Sequence, residues 1–441
     1  MAAPTLVRGL GRLEATTIII GGVIGSGIFL GPSIVARNVG SPGWSMAVWI
    51  VAGILATAGG LCYAELGAAL PETGGTYQYL KRIYRLPLLA FLMGWMFFFV
   101  DGPGSLAAVA TAFASYAGFF IPLSPLGIKL VAAGVLLALV GVNVLGVHTG
   151  GWVQNVLTTL KVLVLVLVML LPFLGSSHGS WSHFLDPGTV PVSGRLAAVG
   201  AAIVPASFAY SGWTFTSYVA GEIRDPGKGL PRGIIIGMGT VIVIYLGVIA
   251  AYQYVLPFSE LASSSLVATD AMKAVMGDRA AAFVAASVMI STLGALNAAV
   301  MVFPRMGYAL AADGLFFRGL EKVHPKYRTP ANAIVVQGLI ACAFVASGSY
   351  DTILGYFGFT DFVAYGLVVL GVLILRRREP DLDRPYRVLL YPVTPILFLA
   401  LCTAYLGTSL LGRPVESLIG VGLTLTGVPF YYWWSRKRPV A

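Results

Sequence analysis

Apolar runs of about twenty residues, repeated twelve times between short loops, set the strongest constraint on how this chain can fold. A helix needs about 20 residues to cross about 30 Å of hydrocarbon, and it must satisfy its backbone polar groups internally. The runs cover residues 12–38, 43–70, 86–116, 126–147, 151–174, 195–221, 231–256, 280–311, 331–348, 351–377, 388–411 and 415–435. Only 10% of the 441 residues are charged and the mean hydropathy is +0.85, so one water-facing core could not bury the apolar surface. The expected class is an all-α membrane protein of twelve transmembrane helices, a single domain over 1–441.

The formal net charge of +10 does not indicate nucleic acid, because the basic residues lie in short clusters between the apolar runs. Most of the 28 lysines and arginines fall on one side if the N-terminus is cytoplasmic. They are Arg8, Arg12, Lys81, Arg82, Arg85, Arg224, Lys228, Arg232, Arg318, Lys322, Lys326, Arg328, Arg376, Arg377, Arg378, Arg384, Arg387, Arg436, Lys437 and Arg438. Basic loops stay inside, so both termini are expected in the cytoplasm of a cell-membrane protein. Arg37, Lys129, Arg195, Lys273, Arg279 and Arg413 fall outside. The N-terminal run has no small-residue cleavage site and does not read as a signal peptide. Cys62, Cys342 and Cys402 lie inside apolar runs, and His148, His178, His183 and His324 lack metal-ligand spacing. No metal, cofactor, nucleic-acid partner or disulfide-linked ancillary subunit is therefore expected; the lipid bilayer is the one macroscopic partner.

The first run is interrupted by GGVIGSGIFLGP, Gly21 to Pro32, a poor way to write a continuous helix. The sixth is interrupted by SFAYSGWT, Ser207 to Thr214. At 1.5 Å per residue both lie about 20 to 24 Å into their runs, near mid-membrane. Five runs separate them, so they cross in opposite directions, as an inverted repeat of about 12–174 on 195–377 requires, with 388–435 added. Backbone unwound at this depth must be satisfied by protein, water or ligand. An α-amino acid carries the matching groups. Its carboxylate suits the amides of Gly25, Ser26 and Gly27 at a half-helix N-terminus, and its ammonium suits the Val23 carbonyl with those of Phe208, Ala209 and Ser211. Small residues also permit close helix packing, which is the competing explanation of the glycines.

These stretches, with CYAELGAALPETGGTYQYL (62–80), FAYSGWTFTSYVAGEIRDPGKGLPRGI (208–234) and NAAVMVFPRMGYALAADGLF (297–316), resemble the amino acid-polyamine-organocation superfamily. Within it the chain looks most like bacterial relatives of the L-type amino acid transporters, over nearly its whole length and in collinear order. The resemblance implies a ten-helix inverted-repeat core with discontinuous helices 1 and 6, two extra helices, and alternating access around a midplane site. Ser211 departs from the small residue or acid of many relatives, and Ala312 from an arginine before DG.

Lys161 is about 15 Å into the fifth run, where a charge is costly and functional by default. By the resemblance, its ammonium replaces the cation that sodium-coupled relatives hold beside the broken first helix. Tyr245 and Ser291 are then its hydroxyl companions. A buried lysine can also exchange protons, so a proton-coupled symporter using Lys161 stands beside a sodium-independent exchanger or facilitator.

Asp101, before Gly102 and Pro103, either faces the substrate or satisfies a kink. Glu65 and Arg305 read as structural or gating groups. Neither break contains an acid or an arginine, which indicates a small neutral substrate such as alanine or serine. Phe208, Tyr210 and Trp213 are candidates to gate or confine the pocket. Enzymatic chemistry is not expected, since HExxH, GxSxG and paired intramembrane aspartates are not apparent.

Overall fold

The computed structural model describes residues 5–176, 179–186, 195–348 and 350–436, so His178, Lys437 and Arg438 lie outside it. Its elements are helical. The first crossing is split into α1 (Arg12–Val23) and α2 (Gly27–Val39), bent by 49°. There follow α3 (Pro42–Ala69), α4 (Thr76–Tyr84), α5 (Pro87–Met96), α6 (Gly102–Ala117), α7 (Pro125–Val144) and α8 (Val147–Gly175). The sixth apolar run forms α9 (Arg195–Ala209) and, after a non-helical stretch, α10 (Phe215–Tyr218). Then come α11 (Pro226–Val255), α12 (Phe258–Ser263), α13 (Val267–Met276), α14 (Ala280–Val302) and α15 (Pro304–Ala312). The chain ends with α16 (Ala331–Ser347), α17 (Tyr350–Arg378), α18 (Val393–Gly412), α19 (Pro414–Leu425) and α20 (Gly427–Ser435).

Among the described residues eight helices are long and apolar enough to cross a membrane, and α1 with α2 makes a bent ninth. The remaining expected crossings correspond to shorter pieces: the apolar 198–209 stretch, the 17-residue α16, and α19 with α20. Local chemistry explains the starts. Pro42, Pro87, Pro125, Pro226, Pro304 and Pro414 occupy first-turn positions, where the missing N–H costs nothing. Ser41 and Ser124 cap α3 and α7 by accepting from the amides of Trp44 and Gly127. The 257–278 loop carries α12 and α13, short helices as expected from its sequence.

One departure from a plain helix matters for function. Between α5 and α6 the chain makes a π-helical turn, Phe97–Asp101, just before Pro103, which has no N–H to continue the ladder. This turn sets Asp101 at the start of α6, 5% exposed.

Contacts define two ends of the bundle. At the end bearing the N-terminus, the Leu10 amide donates to the Glu222 carbonyl at 3.0 Å, and the Arg224 amide to the Leu10 carbonyl at 2.9 Å. Lys81 pairs with Asp313 at 2.6 Å, and Glu65 pairs with Arg376 at 2.6 Å while accepting from the Val388 amide at 2.7 Å. Arg305 makes a two-point bond to Glu222, at 2.8 and 3.0 Å, and donates to the Met301 carbonyl. At the other end Arg37 donates to the Ala262 carbonyl and Lys129 to that of Ala346.

Candidate functional site

Unwinding the first crossing at Ile24 to Ser26 leaves main-chain groups without intrahelical partners, and three side chains from different helices converge on its carbonyls. Lys161 Nζ, on α8 and 1% exposed, donates to the carbonyls of Gly21 at 2.8 Å and Ile24 at 2.5 Å. Ser291, on α14, donates to Gly25 at 3.0 Å and Ile24 at 3.3 Å. Tyr245, on α11, donates to Val23 at 3.1 Å and across to Ala209 of α9 at 3.2 Å. A single cation and two hydroxyls thus hold the carbonyl half of the break, and the tyrosine joins the two breaks directly. All three are the polar residues expected from the sequence.

The amide half differs. The amides of Gly25, Ser26 and Gly27 donate to no backbone carbonyl and lead into the N-terminus of the 13-residue α2, while the Ser26 carbonyl accepts from the Phe29 amide at 3.1 Å. They border a cavity of about 460 Å³, within the range of small-molecule sites. An added Cβ at Gly25 would meet nothing within 4 Å, so the missing side chain leaves open space beside these amides. A carboxylate placed there would accept from the amides at the positive end of α2. Gly25→Ala puts a methyl into that space without touching a neighbour. It is expected to lower substrate affinity at least about tenfold with little change in melting temperature, read by thermal-shift titration against direct binding.

The second break needs glycine for a different reason. Gly212 has φ +116°, and a Cβ there would lie 2.7 Å from the Gly22 carbonyl carbon, so only glycine lets the two broken segments touch.

Several expectations require correction. The Val23 and Ala209 carbonyls share the single Tyr245 hydroxyl proton, at 3.1 and 3.2 Å, so an ammonium would bond them beside that hydroxyl. The Phe208 carbonyl accepts from the Ser211 hydroxyl at 2.7 Å and the Ser211 amide at 3.0 Å, because the exposed serine folds back on its own turn. Tyr210 is fully buried against Trp49 and Tyr245 and does not line the cavity, since its ring packs behind the break. Phe208, 54% exposed, and Trp213 do line it. Trp213 is fixed by edge contact with Tyr63 and Phe398.

The largest omission concerns Asp101. It lines the cavity and accepts from Ser105 at 3.3 Å, and Asp361 on α17 lines the same cavity. Two intramembrane aspartates therefore share one cavity, 260 positions apart in sequence and invisible to motif spacing. Asp361 itself carried a usable signal: an acid within the tenth apolar run is a functional candidate on the same grounds as Asp101.

Part of the lining is a cluster of rings, stacked for Phe97 on Tyr218 and edge-on for the pairs with Phe303. Phe97 lies 5.0 Å from both Tyr218 and Phe303, and Phe215 lies 5.0 Å from Phe303. The lining continues through Thr111 and Ser115 toward the end of α6.

Residues 10–434 match the family described as Amino acid permease. The chain is 35% identical to the large neutral amino acids transporter small subunit 2 of Mus musculus, covering 98% of this chain and 82% of that protein. It is 33% identical to the b(0,+)-type amino acid transporter 1 of Mus musculus (99% and 91%) and 32% identical to the Asc-type amino acid transporter 1 of the same organism (99% and 83%).

Proposed function

Because this chain belongs to the amino acid permease family, as an amino acid transporter and not an enzyme, we propose that it is a sodium-independent exchanger or facilitator of small neutral L-amino acids in the cell membrane. The proposal includes twelve crossings, both termini cytoplasmic, and two inverted repeats around the paired breaks. The observation that carries it is the lysine ammonium seated on the Gly21 and Ile24 carbonyls, at the position where an unwound helix needs a positive partner. With a cation already built in, the site has no electrostatic need for a metal ion there.

The chemistry follows from the two halves of the break. The substrate carboxylate accepts from the amides of Gly25, Ser26 and Gly27, and its ammonium donates to the carbonyls of Val23 and Ala209, which Tyr245 holds in place. Both recognised groups belong to the amino-acid backbone, so the breaks select the class and the rest of the cavity selects the side chain. Small, uncharged side chains fit the absence of acid and arginine in the breaks themselves.

The ring cluster and the ion pairs at the N-terminal end support a state closed to the cytoplasm, with the cavity reaching toward the opposite face. Alternating access then requires α1 and α10 to leave that end. This separates Leu10 from Glu222 and Arg224. Cys62 and Cys402 are buried and Cys342 is within α16, in keeping with a transporter that functions without a disulfide-linked partner.

Proteoliposomes loaded with unlabelled alanine should take up labelled alanine equally well in sodium and in choline buffers. Uptake that depends on sodium overturns the assignment of the lysine. Concentrative uptake driven by an inward proton gradient in empty vesicles assigns proton symport in its place. The two-carbonyl seat of the ammonium favours a permanent cation over a proton carrier.

A further inference from the structure

We infer that Gln337, on α16 and outside the cavity, is a positioning residue for the substrate: its side-chain amide holds the π-helical turn that sets Phe97 and Asp101 in the cavity wall. The inference rests on the transport reading above and adds to it a residue that touches no substrate.

The turn leaves one carbonyl without a main-chain donor. In an α-helix the Gly102 amide would donate to the Phe98 carbonyl, four residues back. In the π turn it donates to the Phe97 carbonyl instead. The next donor at π spacing from Phe98 is position 103, a proline with no N–H. Neither position can therefore serve the Phe98 carbonyl, and Gln337 Nε2 donates to it from α16 at 3.3 Å. Among the described residues Gln337 does not line the cavity, whereas Phe97, Asp101 and Ser105 do.

Two further observations show that the contact is built into the fold. A Cβ on Gly102 would lie 2.6 Å from Gln337 Nε2, so glycine at the end of the turn gives the amide its room. Gln337 is 0% exposed and its Oε1 has no hydrogen-bond partner. An apolar side chain would avoid that unpaired acceptor, so packing alone does not account for glutamine at this position.

What the turn carries gives the bond its consequence. Phe97 stacks on Tyr218 with ring centroids 5.0 Å apart and meets Phe303 edge-on at 5.0 Å. Without the Gln337 donor, the Phe98 carbonyl is satisfied only by returning the Gly102 amide to α spacing. That change of register turns the segment before Gly102 by about 100° relative to α6, one residue's share of a helical turn, and carries Phe97 off the cavity wall. Leaving a buried carbonyl unbonded is costly enough to shift the population of the turn at least about fivefold.

The experiment is competition in proteoliposomes. Inhibition of labelled alanine uptake by unlabelled glycine, L-threonine and L-leucine is measured in the wild type, in Gln337→Met, in Gly102→Ala and in the double variant Gln337→Met with Pro103→Ala. The inhibition constants of threonine and leucine are each divided by that of glycine, which has no side chain to meet the wall, so differences in folding yield and turnover cancel. In Gln337→Met at least one of the two ratios shifts at least about fivefold. The melting temperature changes little, because the unpaired Oε1 leaves together with the donor. Gly102→Ala crowds the same amide from the other helix and shifts the same ratio, which carries the test if the methionine variant does not fold. In the double variant the N–H gained at position 103 serves the Phe98 carbonyl, and the ratio returns to the wild-type value. Unchanged ratios in Gln337→Met and Gly102→Ala overturn the proposal, and so does a shifted ratio that Pro103→Ala fails to restore. Either result leaves alanine exchange by the wild type, and the proposed function, intact. Absence of uptake of every amino acid overturns both readings together.

Discussion

Lys161→Met is expected to lower exchange at least about 100-fold while leaving the chain folded and in the membrane. The substitution keeps most of the side-chain volume in α8 but leaves the Gly21 and Ile24 carbonyls without their donor. Each hydrogen bond to a charged group contributes about 1.5 to 3 kcal/mol, so two together exceed about 3 kcal/mol, a factor of about 100 or more in the population of the correctly formed break. Ser291 still reaches Ile24 at 3.3 Å, but a neutral hydroxyl supplies one proton where the ammonium supplies three. Arginine does not substitute, because the lysine stem lies directly against Gly294 and the planar guanidinium needs more room than that contact leaves. Exchange rate and substrate affinity, measured side by side, check this: both should fall. Normal exchange in Lys161→Met would show that the ammonium is not what supports the break.

The second large effect is on stability. Arg305 and Glu222 are 1% and 0% exposed and bonded at two points. Removing one partner of a buried pair strands the other charge, at a cost of about 3 to 5 kcal/mol. Arg305→Met should therefore be the most destabilising substitution at the N-terminal end of the bundle, seen as early unfolding in detergent. The double variant Glu222→Leu with Arg305→Met should recover much of the loss, because no charge is then left unpaired. If the double variant is as unstable as the single, the cost lies in packing around Met301 and not in the charge. Glu222 also presents its carbonyl to the Leu10 amide, which ties the N-terminal segment to the turn that carries the buried pair.

How far the site could be read from sequence depended on the kind of interaction. Backbone demands were legible. A glycine-rich stretch at mid-depth must leave amides and carbonyls unsatisfied, and an ammonium at the depth of Lys161 has to meet an acceptor. These arguments led to Gly25, Ser26, Gly27, Lys161, Tyr245 and Ser291, the last two with help from family resemblance. Side-chain direction was not legible. Tyr210 and Trp213 are three residues apart on one break, yet the first is sealed behind it and the second faces the cavity. That difference arises from the turn around Gly212, whose φ of +116° reorients the chain between them.

Pairing across the fold was equally hidden. Asp101, on the π-helical turn before α6, and Asp361, on α17, line one cavity, and nothing in the spacing of either run encodes the other. Neither break contains an acid, but the cavity also has walls from α6 and α17, which carry Asp101 and Asp361.

Hydrophobic length and the cost of unsatisfied backbone act within one segment, so the sequence alone determined that this chain is helical, lies in a membrane, interrupts its first and sixth apolar runs, and buries a lysine deep in the fifth. Contact between segments depends on how helices rotate and tilt against each other. Only the tertiary structure decided that three helices share the carbonyls of one break, that Tyr245 joins it to the second, and that two distant aspartates face the same cavity.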